Sequence, residues 1–244
     1  RTGRDARVML GFRKDTDASE VFSKCLDGSI EDILNIIAPH AGQCFHIAPG
    51  TPHAAQGDML IFEISEASPL DFCLCGWGGE VSDTEFDPSL SLTDSLDFIK
   101  YEKFKSDEEP GPHHHHDHDE IVTKVIDIPQ FSVTKLQLTD PLHIYSEKFE
   151  SFITYTCVKG EASVQIHVLN ETANFILKEE ETMLVPAECP DFFLVPRSSD
   201  TLILETTVHR DEPDPYINPD APAHLPGDSD DEDPETADAG DGDA

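Results

Sequence analysis

Apolar residues recur along this chain with two different periods, and the change from one to the other divides it. Residues 7–12 (RVMLGF) read as a strand that stops at the polar stretch 13–17. Over 16–26 (TDASEVFSKCL), Ala18, Val21, Phe22, Cys25 and Leu26 recur at helical spacing, and Gly28 is placed to end the helix. Ser29 is a suitable cap for a second helix over 30–37, where Ile30, Ile33, Leu34 and Ile37 make a stripe before Pro39. The period then becomes two. GQCFHIAP, DMLIFEIS and LDFCLCGW are followed, after a gap, by EIVTKVIDI, FSVTKLQL, SFITYTCVKG, ASVQIHVL, ANFILK, TMLVPA, DFFLVP and TLILETTV. Each run is short and rich in β-branched or aromatic residues, with Gly, Pro, Asn or Asp at its borders. The pattern predicts a mainly β protein of the barrel or sandwich type.

Between the two groups of strands, residues 105–119 (KSDEEPGPHHHHDHD) contain no hydrophobic residue and carry Pro110, Gly111 and Pro112. A His/Asp-rich linker is expected there. Residues 120–210 then read as a complete small β domain. Residues 1–104 carry a helical insertion at 15–38 but only about four strands, too few to close a barrel, so further strands are expected to precede Arg1. Residues 211–244 hold 13 acidic residues and no Lys or Arg, and are expected to form a disordered acidic tail.

Charge removes several classes of function. The 244 residues include 50 acidic and 16 Lys or Arg, a formal charge of −34. A polyanion repels nucleic acid and anionic membranes, so neither is an expected partner. No 18-residue apolar span is present to cross a bilayer. The six cysteines (25, 44, 73, 75, 157 and 189) follow no framework spacing. With no signal-peptide pattern visible, they read as reduced thiols in a cytoplasmic protein.

Candidate chemistry centres on Ile47-Ala48-Pro49-Gly50-Thr51-Pro52-His53-Ala54, with Gly57-Asp58 and a strand pattern behind it. A Pro-Gly turn at a strand end sets the His53 imidazole at a barrel mouth, where it is either a metal ligand or a structural histidine. Cys44 and His46 share a strand face, as do Cys73 and Cys75. Cys44, His46, His53 and Cys75 would make a soft zinc set if their strands adjoined; packed free thiols are the alternative. His113 to His116, with Asp117, His118 and Asp119, read as a flexible linker or a weak metal-gathering run. His143, His167 and His209 are scattered. Lys159-Gly160-Glu161 reads as a hairpin turn, and 186–190 (PAECP) repeats the Pro-turn position without a histidine. Phosphate-binding loops, nucleophile elbows and HExxH motifs are absent from the sequence.

The order of these segments resembles the type I mannose-6-phosphate isomerases of the cupin superfamily. The resemblance is carried by a helical segment, then GQCFHIAPGTPHAAQGDMLIFEISEAS, a Trp-Gly about ten residues on, and LTDSLDFIKYEKF. The stretch from KGEASVQI through LKEEETMLVPAECPDFFLV is similar to their C-terminal domain. The resemblance spans roughly residues 5–208 and implies tandem cupin-like jelly-roll barrels, with residues 1–104 forming the later part of the metal-site domain. It further implies interconversion of mannose 6-phosphate and fructose 6-phosphate through a metal-stabilised enediolate, with Zn2+ as cofactor. In that reading His53 is a metal ligand, Glu63 is the catalytic carboxylate, and a sugar phosphate is the small-molecule partner. The remaining ligands are expected upstream of Arg1. The spacing puts Cys73 where the family carries an arginine, and Arg13, Lys100 and Lys103 are the candidates to hold phosphate in its place. The alternative is a non-catalytic cupin module that binds a sugar phosphate or a metal. The sequence leaves the oligomeric state open.

Overall fold

Arg7–Phe12 (β1) is the central strand of a three-stranded antiparallel sheet, with Leu34–Ile37 (β2) on one side and His53–Gln56 (β3) on the other. It is flanked on both edges, and Val8, Met9, Leu10 and Phe12 are all buried. These assignments come from a computed structural model that describes residues 1–68, 72–75, 88–105, 121–146, 149, 151–168 and 171–208. Gly11 sits at φ +63° where the register with β2 shifts; a Cβ there would lie 2.8 Å from Phe104 Cβ, so both the backbone and the packing require glycine.

The helix expected over 16–26 forms at Ala18–Leu26 (α1). Asp17 caps it by accepting from the Glu20 N–H at 2.9 Å, and Gly28, at φ +74°, ends it. The helix expected over 30–37 does not form. Ile30–Asp32 make one 3-10 turn, Ser29 gives no side-chain cap, and the chain then enters β2. The spacing of Ile30, Ile33 and Leu34 fits a helix stripe, and all three are buried against Met9, Phe12 and Val21. Tertiary pairing decides the conformation, because Ile36 and Ile37 gain a ladder with Met9 and Val8 that a helix would forgo.

Three expected strands in this region are corrected as well. Residues 42–49 form no strand, and 58–65 make only an isolated bridge between Met59 and Thr2. Residues 72–75 are not a strand, and the rest of that run lies outside the described residues. Pro88–Ser95 (α2), which the periodicity did not mark, contributes buried Leu92 and Ser95.

The second group of strands forms as the alternation predicts. Val122–Asp127 (β4), Phe131–Leu138 (β5), Ile153–Lys159 (β7), Glu161–Val168 (β8) and Glu171–Lys178 (β9) are joined by Thr182–Val185 (β10), Phe192–Pro196 (β11) and Thr201–Val208 (β12). A further short strand, Leu142–Ile144 (β6), pairs with β11. They build a five-stranded sheet in the order β10-β7-β12-β5-β4 and a four-stranded sheet in the order β6-β11-β8-β9. Leu136, Ile144, Tyr155, Val164, Phe192, Leu194 and Ile203 form the core between the sheets. The turn at Gly160 is not a hairpin, since β7 pairs with β10 and β12 while β8 pairs with β9 and β11. Gly160, at φ +79°, instead carries the chain from one sheet to the other, and a Cβ there would meet Ser198 Oγ at 2.2 Å. The protein is therefore mainly β with a two-sheet jelly-roll core, as expected. The expected His/Asp linker and acidic tail fall outside the described residues, apart from Lys105.

Candidate functional site

The turn that carries His53 is set by backbone chemistry. Thr51 N–H donates to Ala48 O at 3.1 Å, with Pro49 and Gly50 (φ +81°) at the two central positions, the residue order a type II turn requires. Two contacts anchor the turn: Gly11 N–H donates to Pro52 O at 2.8 Å, and Lys100 N–H to Gly50 O at 2.8 Å. A Cβ on Gly50 would fall 2.3 Å from Phe98 O and 3.4 Å from Lys100 Cγ, so the 98–100 backbone packs directly against the turn.

His53 follows as the first residue of β3, opposite Leu10, and is exposed. It opens a strand, whereas the sequence pattern placed it just past the end of one. Its Nδ1 lies 3.0 Å from Thr51 O. In a neutral ring, a nitrogen facing a carbonyl carries the proton and Nε2 is the lone-pair nitrogen, the tautomer a metal ligand or a general base needs. Glu63 is exposed and lies beyond β3 in a segment without regular secondary structure.

The soft ligand set does not assemble. Among the described residues no three His, Cys, Asp or Glu side chains are grouped as a metal site. Cys75 packs instead against the Met9, Phe12 and Val21 cluster, as does Cys25. Burial, then the nearby Cys75, then Asp27, push the Cys25 thiol up to about 11. Cys73 is exposed, and its Sγ donates to Cys75 O at 3.6 Å. None of the six cysteines forms a disulfide among the described residues. The described residues thus present the His53 imidazole without a complete zinc site around it, and no catalytic step is derived through the metal.

Of the three cationic candidates, Lys100 adjoins the His53 turn. The Arg13 N–H donates to Ile33 O and the Lys103 N–H to Asp15 Oδ1. In the second group of strands, His143 stacks on Phe193, with ring centroids 4.4 Å apart, and lies 3.8 Å from Asp191. His167 bonds Thr172 at 2.9 Å, and His209 and the 113–118 run lie outside the described residues. One polar pair was not singled out from sequence: Tyr155 O–H donates to Glu205 Oε2 at 2.8 Å, with both side chains buried. Its signal was a carboxylate inside the apolar run TLILETTV.

No family profile matches the chain, and no curated protein matches it. Solved structures do. The mannose 6-phosphate isomerase from Bacillus subtilis superposes with TM-score 0.53 over 83 % of this chain and 61 % of its own length, at 17 % identity. A phosphomannose isomerase variant from Salmonella typhimurium gives 0.57 over 84 % and 65 %, at 12 % identity. A protein from Archaeoglobus fulgidus described as a mannosephosphate isomerase gives 0.56 over 84 % and 58 %, at 16 % identity. The fold is one that these isomerases share. The chain spans about three fifths of the length of these structures. No helix among the described residues is long and apolar enough to cross a membrane.

Proposed function

We propose that the protein is an aldose-ketose isomerase acting on mannose 6-phosphate and fructose 6-phosphate. The observation that carries this reading is the shared fold over more than four fifths of the chain, with the Pro-Gly turn holding His53 as the motif that resembles this family. Residues 1–104 are then the later part of the domain that bears the site, and residues 120–210 a second cupin domain. Isomerisation moves one proton from C2 of the open-chain aldose to C1 and one from the C2 hydroxyl to the C1 oxygen, through an enediol. Glu63 is the proposed base that removes and returns it. Lys100, against the His53 turn, is the proposed partner of the substrate phosphate, a role that calls for a cation on a chain of charge −34. His53 would offer Nε2 as one ligand to zinc. A complete set needs donors beyond the described residues, and a bound divalent ion would supply polarisation of the sugar carbonyl.

The resemblance also supports a second reading. Its spacing sets Cys73 where the family carries an arginine, and a thiol neither holds a permanent charge nor forks around phosphate. A cupin module that binds sugar phosphate without turning it over fits that residue. The two readings separate on one pair of measurements: coupled turnover of mannose 6-phosphate, and calorimetric binding of the same sugar, by the wild type and by His53→Ala. The enzyme reading expects turnover that His53→Ala removes. Binding without turnover in the wild type overturns it in favour of the module.

A further inference from the structure

Inward-facing positions of a sandwich are ordinarily apolar, and one level of the β4–β12 core is not. Register sets Cys157, Ile203, Leu136 and Val122 side by side across β7, β12, β5 and β4, an apolar row on the inner face. Two residues along each strand, the next inward row is Tyr155, Glu205, Thr134 and Lys124. Past a bulge in β4, Asp127 pairs with Ser132 and extends the polar level by one more row. Glu205 is 3 % exposed, and Thr134 and Ser132 are each 8 % exposed. The Lys124 and Asp127 side chains are 30 % and 24 % exposed, so this level runs from the sealed centre of the sandwich out to β4, the last strand of its sheet. Tyr155 O–H donates to Glu205 Oε2 at 2.8 Å, Lys124 Nζ to Asp127 Oδ2 at 2.9 Å, and Ser132 O–H to Asp127 Oδ1. Thr134 differs from them. It stands between Glu205 and Lys124, and among the described residues no hydrogen bond engages its hydroxyl. A hydroxyl nine-tenths buried is costly to leave without a partner.

We propose that this polar level is a binding site for a neutral polyol of hexitol size, entered from the β4 side. Carboxylate, hydroxyl and ammonium follow one another along the row at Glu205, Thr134 and Lys124. Adjacent hydroxyls of a polyol match that order, because each donates one hydrogen bond and accepts others. Glu205 and Lys124 stand two strands apart, roughly 10 Å of backbone, a span that suits a chain of about six hydroxylated carbons. Charge selects against an anion: Glu205 and Asp127 oppose Lys124, which is already paired with Asp127. A cation is the poorer match as well, since no three ligating side chains are grouped among the described residues. All six side chains belong to one sandwich, so the inference is independent of the His53 turn and of the isomerase reading.

The probe is D-mannitol, which has no carbonyl to isomerise, with D-gluconate as its anionic counterpart. Titrations of the full chain are followed by saturation-transfer NMR, amide shifts locate the ligand, and thermal melts report on the fold. The expected result is saturable binding of mannitol that shifts amides at 122–134 and 203–207 and leaves those at 50–56 in place. Gluconate should bind about tenfold more weakly, because it brings a carboxylate towards Glu205 and Asp127. Thr134→Val and Lys124→Met should each weaken mannitol about fivefold or more. Thr134→Val should not lower the melting temperature, since its hydroxyl supports no bond in the ligand-free protein. A clear fall in that temperature would make Thr134 part of a structural network and overturn the proposal. No binding, gluconate binding as tight as mannitol, affinity unchanged in both variants, or shifts confined to 50–56 would each overturn it too.

Discussion

In the β4–β12 sandwich, Phe192, Leu194 and Ile203 are sealed between two sheets, whereas Leu60, Ile61 and Phe62, from a stretch with the same alternation, face solvent. The sequences differ little in β propensity. What differs among the described residues is the set of neighbours: β11 has β6 on one side and β8 on the other, while 58–60 meets residues 1–3. Alternation specifies what a segment is suited to, and a paired edge with a facing layer determines whether it becomes a strand.

The sharpest way to break this comparison is to truncate one phenylalanine in each region. Phe192 is fully buried and meets Tyr155 edge-on, with ring centroids 6.0 Å apart, so Phe192→Ala should cost about 3–5 kcal/mol in urea unfolding. Phe62→Ala should cost within about 0.5 kcal/mol. Comparable losses would mean that Phe62 is packed in solution and that the contrast is wrong. A smaller effect is expected inside the sandwich from Tyr155→Phe, which takes the hydroxyl away from buried Glu205 and should destabilise by about 1–3 kcal/mol in the same experiment. The smallest concerns Cys25, on the N-terminal core. Its thiol is held up to about 11 against an ordinary 9.0, so the folded state retains the proton where the unfolded chain would release it. That contribution is complete below pH 9 and is lost as pH rises through 11, so wild type should lose slightly more stability over this window than Cys25→Ala, measured by thermal melts at each pH. Identical slopes would remove Cys25 from the account.

The sandwich was legible in the sequence because nearly every one of its strands is long enough to show its period. Leu142–Ile144 was missed because three residues show none. The 30–37 segment was misread because its apolar spacing suits a helix and a strand alike, and pairing with β1, which no local pattern reveals, decided between them. At the candidate site, the Pro-Gly turn and the exposed His53 were visible as sequence motifs. The approach of Lys100 to that turn was not, since it depends on a contact between Gly50 and residues 98–100 made across half a hundred residues. The soft ligand set failed for a related reason: Cys75 is drawn to the apolar cluster that also holds Cys25.

The central claim is that Glu63 moves a proton on a sugar phosphate. The most direct measurement is proton NMR of mannose 6-phosphate in D2O with the protein purified from its own source, comparing wild type with Glu63→Gln. The account predicts conversion to fructose 6-phosphate with solvent deuterium entering the sugar at C1 or C2, slowed about 100-fold or more by the substitution. Wild-type protein that neither converts the sugar nor exchanges its C2 proton, or a Glu63→Gln variant as fast as wild type, would contradict it.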